Sequence, residues 1–300
     1  MAVTALDLAG QEAAPVRKSG FRRRLSRFAR NHLAVAGVAA LTLLLLVALF
    51  APWIAPFPDD VADSLNFDAV LSPPSLEHPM GTDEVGRDVL TRVMYGARTS
   101  LLIVMGVLAL SALIGVPLGI VAGATGGWVD DVIMRITDIF LAFPALLLAL
   151  ALATVLTPSA EHAALAIAVT WWPWYARLAR GSAAAIAGRG YVEAARALGV
   201  PRWRVLARHV LPNALPPTIV QLSLDAAGIM LTAAALSFLG LGAQDPTPEW
   251  GLMVNQGQGL LETNWWVAIV PGAAIVIAAV GFNLLGDGLR TLLDPKAARR

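Results

Sequence analysis

The sequence predicts an all-α integral membrane protein with six transmembrane helices. Three observations carry that expectation. Of its 300 residues, 57% are hydrophobic and 14% charged, where ordinary soluble domains run at about 45–50% and about 25%. The apolar residues gather into six runs of about 20, the length a bilayer core requires of a helix. The runs are also continuous, whereas barrel strands would alternate apolar with polar residues.

The chain starts with a basic tail. Residues 17–30 hold seven Arg and Lys, and an apolar run begins at Leu33. That order resembles a cleaved signal, and Arg22-Arg23-Arg24 a twin-arginine one. No small-x-small cleavage site follows, and further spans do, so an uncleaved first helix is expected. The six spans are predicted over residues 33–55, 99–123, 133–156, 163–183, 217–241 and 265–286. The fourth carries Arg177 and Arg180 in its last third. Their long stems allow the charged heads to reach water at the membrane face. Gly115, Gly119, Gly123 and Gly127 recur every four residues at the end of the second span. The first three lie inside the bilayer and let another helix approach closely. Trp171, Trp172 and Trp174 are expected to pack around Pro173.

Charge fixes the orientation. With the N-terminus inside, 19 of the 22 Lys and Arg fall on cytoplasmic segments. The positive-inside rule therefore predicts both termini in the cytoplasm. The outer loop, residues 56–98, carries eight acidic residues instead. Neither this loop nor the inner loop over 184–216 is long enough to bury a core of its own.

Within the outer loop, Thr82 is a plausible N-cap, with Asp83 and Glu84 at the positive end of a following helix. Val85, Val89, Val93 and Ala97 mark one face over residues 83–98; Glu84, Arg87, Asp88 and Arg92 mark the other. An Asp88–Arg92 pair across one turn is expected. Asp83, Arg87 and Asp88 are thus candidates for docking an extracytoplasmic protein, and a lid over the outer ends of the spans is the alternative.

Within the inner loop, a short helix is predicted over 191–198, stopped at Gly199 in a left-handed conformation. Pro201 begins a second short helix, and Pro212 and Pro216 end it before the fifth span. Trp203, Leu206 and Val210 share one face of that helix, and Arg202 and Arg204 belong to its basic rim. An apolar stripe exposed to water points to a protein partner rather than to a simple connector stabilised by acidic lipids.

The residues here resemble a known signature. Glu193-Ala194-Ala195, Gly199 and Leu211-Pro212 match the EAA loop of bacterial ABC importer permeases at its spacing, with His209 where the general pattern has Ile. Gly81-Thr82-Asp83, Gly86-Arg87-Asp88, Ser237-Phe238-Leu239-Gly240-Leu241-Gly242, Trp250-Gly251 and Phe282-Asn283-Leu284-Leu285-Gly286-Asp287-Gly288 look like the second permease of dipeptide, oligopeptide and nickel importers. The likeness spans roughly residues 30–296. It implies the ABC importer permease fold, with a cytoplasmic tail (1–32), a first span with its outer loop (33–98), a permease core (99–289) and a second tail (290–300). It also implies four kinds of neighbour: a second, homologous permease in a heterodimer, one or two cytoplasmic ATPase subunits gripping the EAA loop, an outer substrate-binding protein, and membrane lipids. No nucleic acid is expected among them. The implied activity is inward passage of dipeptides or oligopeptides by alternating access, with nickel chelates or glutathione as alternative cargo.

The residues separately argue against chemistry in this chain. A phosphate loop needs Gly-x4-Gly-Lys-Ser/Thr, and the two lysines, Lys18 and Lys296, follow no glycine. ATP and its Mg are thus expected on partner chains, with no cofactor here. There is no cysteine, and the four histidines form no HExxH pair, so no metal site is expected. Without a Gly-x-Ser-x-Gly or a nucleophile–base set, a membrane enzyme finds no support, and no catalytic residue is proposed. A passive channel would not need an exposed inner docking loop.

Asp225 is the acid that lies well inside a span, with Gln221 one turn away on the same face. An acid at mid-helix is unfavourable by about 2.5–3.5 kcal/mol on insertion scales. It therefore lines the path, where it would attract a peptide amino terminus, or packs against a polar group of the partner permease. Asn283 in the last span is a further candidate, as an interhelical hydrogen bonder.

Overall fold

In the computed structural model, which describes residues 28–61 and 64–293, every long element is a helix; an isolated bridge between Thr82 and Asp88 is the nearest thing to a strand. In chain order α1 is His32–Ile54, α2 Val89–Thr125, α3 Gly127–Leu141, α4 Ala145–Val155 and α5 Ala160–Ala187. Then come α6 at Gly190–Ala197, α7 at Arg202–Val205, α8 at Leu211–Phe238, α9 at Trp250–Gly257 and α10 at Trp266–Leu293. The ends are set by side chains that accept otherwise orphaned N–H groups. Asn31 caps α1, Asp88 caps α2, Ser159 caps α5 and Glu249 caps α9. The basic N-terminal tail up to residue 27 and the C-terminal tail from residue 294 lie outside the described residues, as do Lys18 and Lys296.

The centre of the fold is the α2–α5 pair. The expected small-residue stripe makes it. A Cβ added at Gly115, Gly119 or Gly123 would lie 2.3, 2.1 and 2.2 Å from the carbonyl oxygens of Trp172, Ala176 and Arg180. The two backbones therefore touch in a register that advances one turn at a time on each helix. In lipid, where apolar burial gives helices no reason to associate, such close packing is what holds them. Gly127 lies outside the stripe, with nothing within 4 Å of its added Cβ. The outer helices dock in the same manner: Gly37 of α1 meets Leu284 of α10, and Gly286 of α10 meets Leu224 of α8.

Among the described residues, four helices (α1, α2, α10 and the continuous stretch Arg202–Phe238) are long and apolar enough to cross a membrane, and the bent pair α3–α4 can serve as a fifth span. This departs from the six straight spans at two places. The third expected span, 133–156, is broken: α3 and α4 meet at 84°. Pro144, at the start of α4, lacks an N–H and disfavours a helical Phe143. The fourth, α5, has the length, at 28 residues, but falls short in apolarity. Its Arg177 and Arg180 are half-exposed, and both meet carboxylates of α3, Asp138 and Asp130.

Two local expectations are also corrected. No separate helix covers 83–98. Residues 81–88 form a tight turn closed by the Thr82–Asp88 bridge, and the helix begins at Val89 and runs unbroken into the second span. Nor do Pro212 and Pro216 end the second inner helix. Leu206–Val210 widen into a π turn, with the Leu211 N–H bonded to Leu206 O five residues back, and the chain runs on into α8. A wider turn removes the clash that the Pro212 ring would cause one α-turn earlier.

Candidate functional site

The loop between α5 and α8 is built as the sequence predicts in its first half. α6 ends in a Schellman motif: Gly199 N–H bonds Arg196 O at 3.0 Å and Val200 N–H bonds Ala195 O at 3.1 Å. Gly199 has φ +77°, the left-handed region closed to most side chains. Glu193, Ala194, Arg202 and Arg204 point to solvent, with Ala195 partly covered. Arg204 lies over the Trp203 ring, 5.2 Å from its centre. Leu211 and Pro212 sit exposed at the start of α8. The expected stripe, however, divides. Trp203 is exposed, whereas Val210 is fully buried and Leu206 packs beside it in the core. The exposed apolar surface is instead Tyr191, Leu198 and Trp203. A cleft of about 480 Å³ lies between this loop and the end of α2, lined by Ala124, Arg196, Gly199 and Arg202 among others. Arg196 reaches across it to Ala124 O at 3.4 Å.

At the opposite end, Asp83, Arg87, Asp88 and Arg92 do not form the outward charged face that the sequence suggests. All four are buried. Asp83 accepts from Arg87 Nε at 2.8 Å and from the Val85 and Arg87 N–H groups. Asp88 takes the Thr91 N–H at 2.8 Å and faces His78 Nδ1 at 3.0 Å, so it does not pair with Arg92. Arg92 turns toward Asp83 and Asp245. Arg87 is held above its ordinary value. Burial works against that, and Asp83 and Asp245 overcome it. The cluster joins the turn before α2 to the loop before α9. A helix face reading from periodicity cannot see this, because the turn breaks the period at Gly86.

Of the expected path residues, Gln221 and Asp225 are brought together: Gln221 Nε2 donates to Asp225 Oδ1 at 2.8 Å. Both are half-buried. Beside them on α5 stands Tyr175, fully buried, with a hydroxyl that meets no hydrogen-bond partner of good geometry among the described residues. The Trp171 ring, one turn away, rests 3.2 Å from the added Cβ position on Gly228 of α8. Asn283 is exposed on α10 and bonds no other helix among the described residues.

Sequence reasoning missed three residues. Glu249 is 2% exposed, with Oε1 accepting from Ser100 Oγ and Oε2 from the Leu252 N–H, both at 2.9 Å. Asp245 completes the outer ion cluster, and Asp130 grips Arg180. The cap position of Glu249 before an apolar helix was a legible signal; the pairings of Asp245 and Asp130 over long sequence separations were not. No group of three or more His, Asp or Glu gathers as a metal site among the described residues.

Known proteins resemble this chain along most of its length. Residues 115–299 match the family described as binding-protein-dependent transport system inner membrane component, and residues 19–74 match the N-terminal transmembrane domain of oligopeptide transport permease C. A probable D,D-dipeptide transport system permease protein of Escherichia coli K12 is 48% identical over 88% of this chain and 88% of its own. A dipeptide transport system permease protein of the same strain is 46% identical over 95% and 96%. A glutathione transport system permease protein of Pectobacterium atrosepticum is 39% identical over 93% and 92%. Among solved structures, a chain of the inward-facing MetNI methionine ABC transporter superposes with a TM-score of 0.55 at 19% identity, covering 68% of this chain and 96% of that one. That likeness is one of fold.

Proposed function

This chain belongs to the binding-protein-dependent transport system inner membrane component family, the permeases of ABC importers, and we propose that it carries dipeptides or short oligopeptides inward. It is a multi-pass protein of the inner membrane. What supports the peptide reading is the 46% identity to a dipeptide permease along 95% of the chain. In this reading both termini and the α6–α7 loop face the cytoplasm. A reporter fused after Arg300 or near residue 195 is then cytoplasmic, and one near residue 70 is exported. A second permease pairs with this one, separate ATPase subunits hydrolyse ATP, and an outer binding protein delivers cargo.

The physical share of this chain is mechanical. The Schellman turn at Gly199 holds α6 and α7 at a fixed angle and leaves Glu193, Ala194, Leu198 and Trp203 uncovered. Such a face suits an ATPase groove: apolar anchors with a carboxylate and arginines at the rim. A rigid loop passes displacement on, where a slack one would absorb it. Asp225 with Gln221 supplies a carboxylate inside the membrane for a peptide ammonium. Opposite charges attract strongly at low dielectric.

The test is uptake. The importer, reconstituted with its partner subunits and binding protein, should accumulate a labelled dipeptide in vesicles loaded with ATP. Accumulation of glutathione or a nickel chelate in place of dipeptides would overturn the peptide reading and leave the importer reading standing.

A further inference from the structure

α5 leads into the coupling loop: two residues separate Ala187 from α6. Seven residues before its end, Arg180 makes contact in two directions. Its carbonyl oxygen lies against Gly123 of α2, backbone on backbone. Its guanidinium grips Asp130 of α3 with two nitrogens, Nε to Oδ1 at 2.9 Å and Nη2 to Oδ2 at 2.6 Å. This fork geometry fixes orientation as well as distance. One turn earlier on α5, Arg177 reaches Asp138, also of α3.

α3 needs such a fixing. At 15 residues it is about 22 Å long, and α4 at 11 residues about 16 Å. Neither spans a core of about 30 Å by itself, and the 84° bend keeps them from acting as one straight rod. Thr137 is the one fully buried residue of α3, and Trp128, Val132, Ile136 and Ile139 are exposed on its outer side. Beyond the edge contact of Phe140 with Trp172, the two ion pairs are its polar side-chain links to α5 among the described residues.

We propose that the Arg180–Asp130 pair yokes the bent α3–α4 unit to α5, so that movement of the coupling loop reaches α3–α4 as one rigid step. Arg180 and Asp130 are positioning residues. The inference rests on the coupled-permease reading. The Arg180 side chain is 43% exposed and that of Asp130 13%, and the two-nitrogen fork sets this pair apart from an ordinary surface ion pair. The pair is suited to setting register.

The experiment uses the whole importer in vesicles and reads the ratio of ATP hydrolysis with and without substrate-loaded binding protein. Asp130→Asn and Arg180→Gln should each lower that ratio about fivefold or more, with unchanged basal hydrolysis and unchanged copurification of the ATPase. The double variant should fall no further than either single one. Exchanging the charges, Asp130→Arg with Arg180→Asp, should restore the ratio. So should Asp130→Cys with Arg180→Cys joined by a thiol-specific crosslinker, which meets no other cysteine on this chain. A wild-type ratio in Asp130→Asn, or additive losses in the double variant, would overturn the proposal. If a single variant fails to assemble, the charge exchange decides: assembly regained without coupling overturns it as well. A wild-type importer that shows no stimulation would instead sink the permease reading itself.

Discussion

Arg87, in the turn ahead of α2, bonds Asp245, in the loop ahead of α9, at 3.2 Å across 158 positions of sequence. The contact ties the two outer segments together, and it has a pH signature. Asp245 lies below the usual carboxylate range. Its partial burial pushes the other way, but the Gln256 hydrogen bond and the charges of Arg87 and Arg92 outweigh it. A carboxyl group whose folded value is depressed stabilises the fold above its unfolded value of about 4 and loses that contribution as pH falls through the folded value. Thermal stability of the purified importer should therefore drop as pH falls below about 4. Asp245→Asn should lower stability at pH 7 and flatten part of the acid limb. Identical wild-type and variant profiles would separate this pair from stability.

The α2–α5 contact makes a sharper steric prediction. At Gly119 an added Cβ lies 2.1 Å from Ala176 O. Neither backbone can yield without opening the seam. Gly119→Ala should destabilise the protein by about 1–3 kcal/mol and reduce the folded yield in detergent. Gly106→Ala on the same helix, with nothing within 4 Å, should have no such effect. Equal yields would show that the seam is looser than the backbone contacts require.

Asp225→Asn keeps shape and hydrogen bonding to Gln221 and removes the charge. Uptake of peptides with a free amino terminus should fall by about tenfold, corresponding to about 1.4 kcal/mol, while ATPase stimulation by the loaded binding protein persists. The comparison of a free with an N-acetylated peptide reads the charge directly. Normal uptake of both would make Asp225 a packing residue.

The helices were legible wherever a long apolar run stood alone: α1 departs from its expected bounds by one residue at each end. Gly199 was legible too, because a left-handed stop has few alternatives, and so was the glycine seam of α2. What stayed hidden depends on three-dimensional pairing. The outer charges look like a surface when read along a helix period. Buried, they pair instead with one another and with Asp245, far away in sequence: Asp83 and Asp245 both meet Arg87 and Arg92. The Pro144 break and the π turn at Leu206–Val210 follow from local clashes whose outcome composition does not settle. Nothing along the sequence singles out Asp130; its role follows from Arg180, 50 positions away, standing opposite it.

Gly199 is where coupling through the inner loop is tested most directly. Its φ of +77° fixes the angle between α6 and α7, and the space around it is open. A side chain there meets no clash, so its whole effect is on the backbone. A β-branched residue costs about 1–2 kcal/mol in that conformation, whereas Asn visits it with less strain. The measurement is ATPase copurification together with substrate-stimulated ATP hydrolysis in reconstituted vesicles, for Gly199→Val beside Gly199→Asn. The predicted result is that Gly199→Val inserts and pairs with the second permease but either releases the ATPase or no longer responds to substrate, while Gly199→Asn stays coupled. Full stimulation in Gly199→Val would contradict the claim that this loop transmits the power stroke.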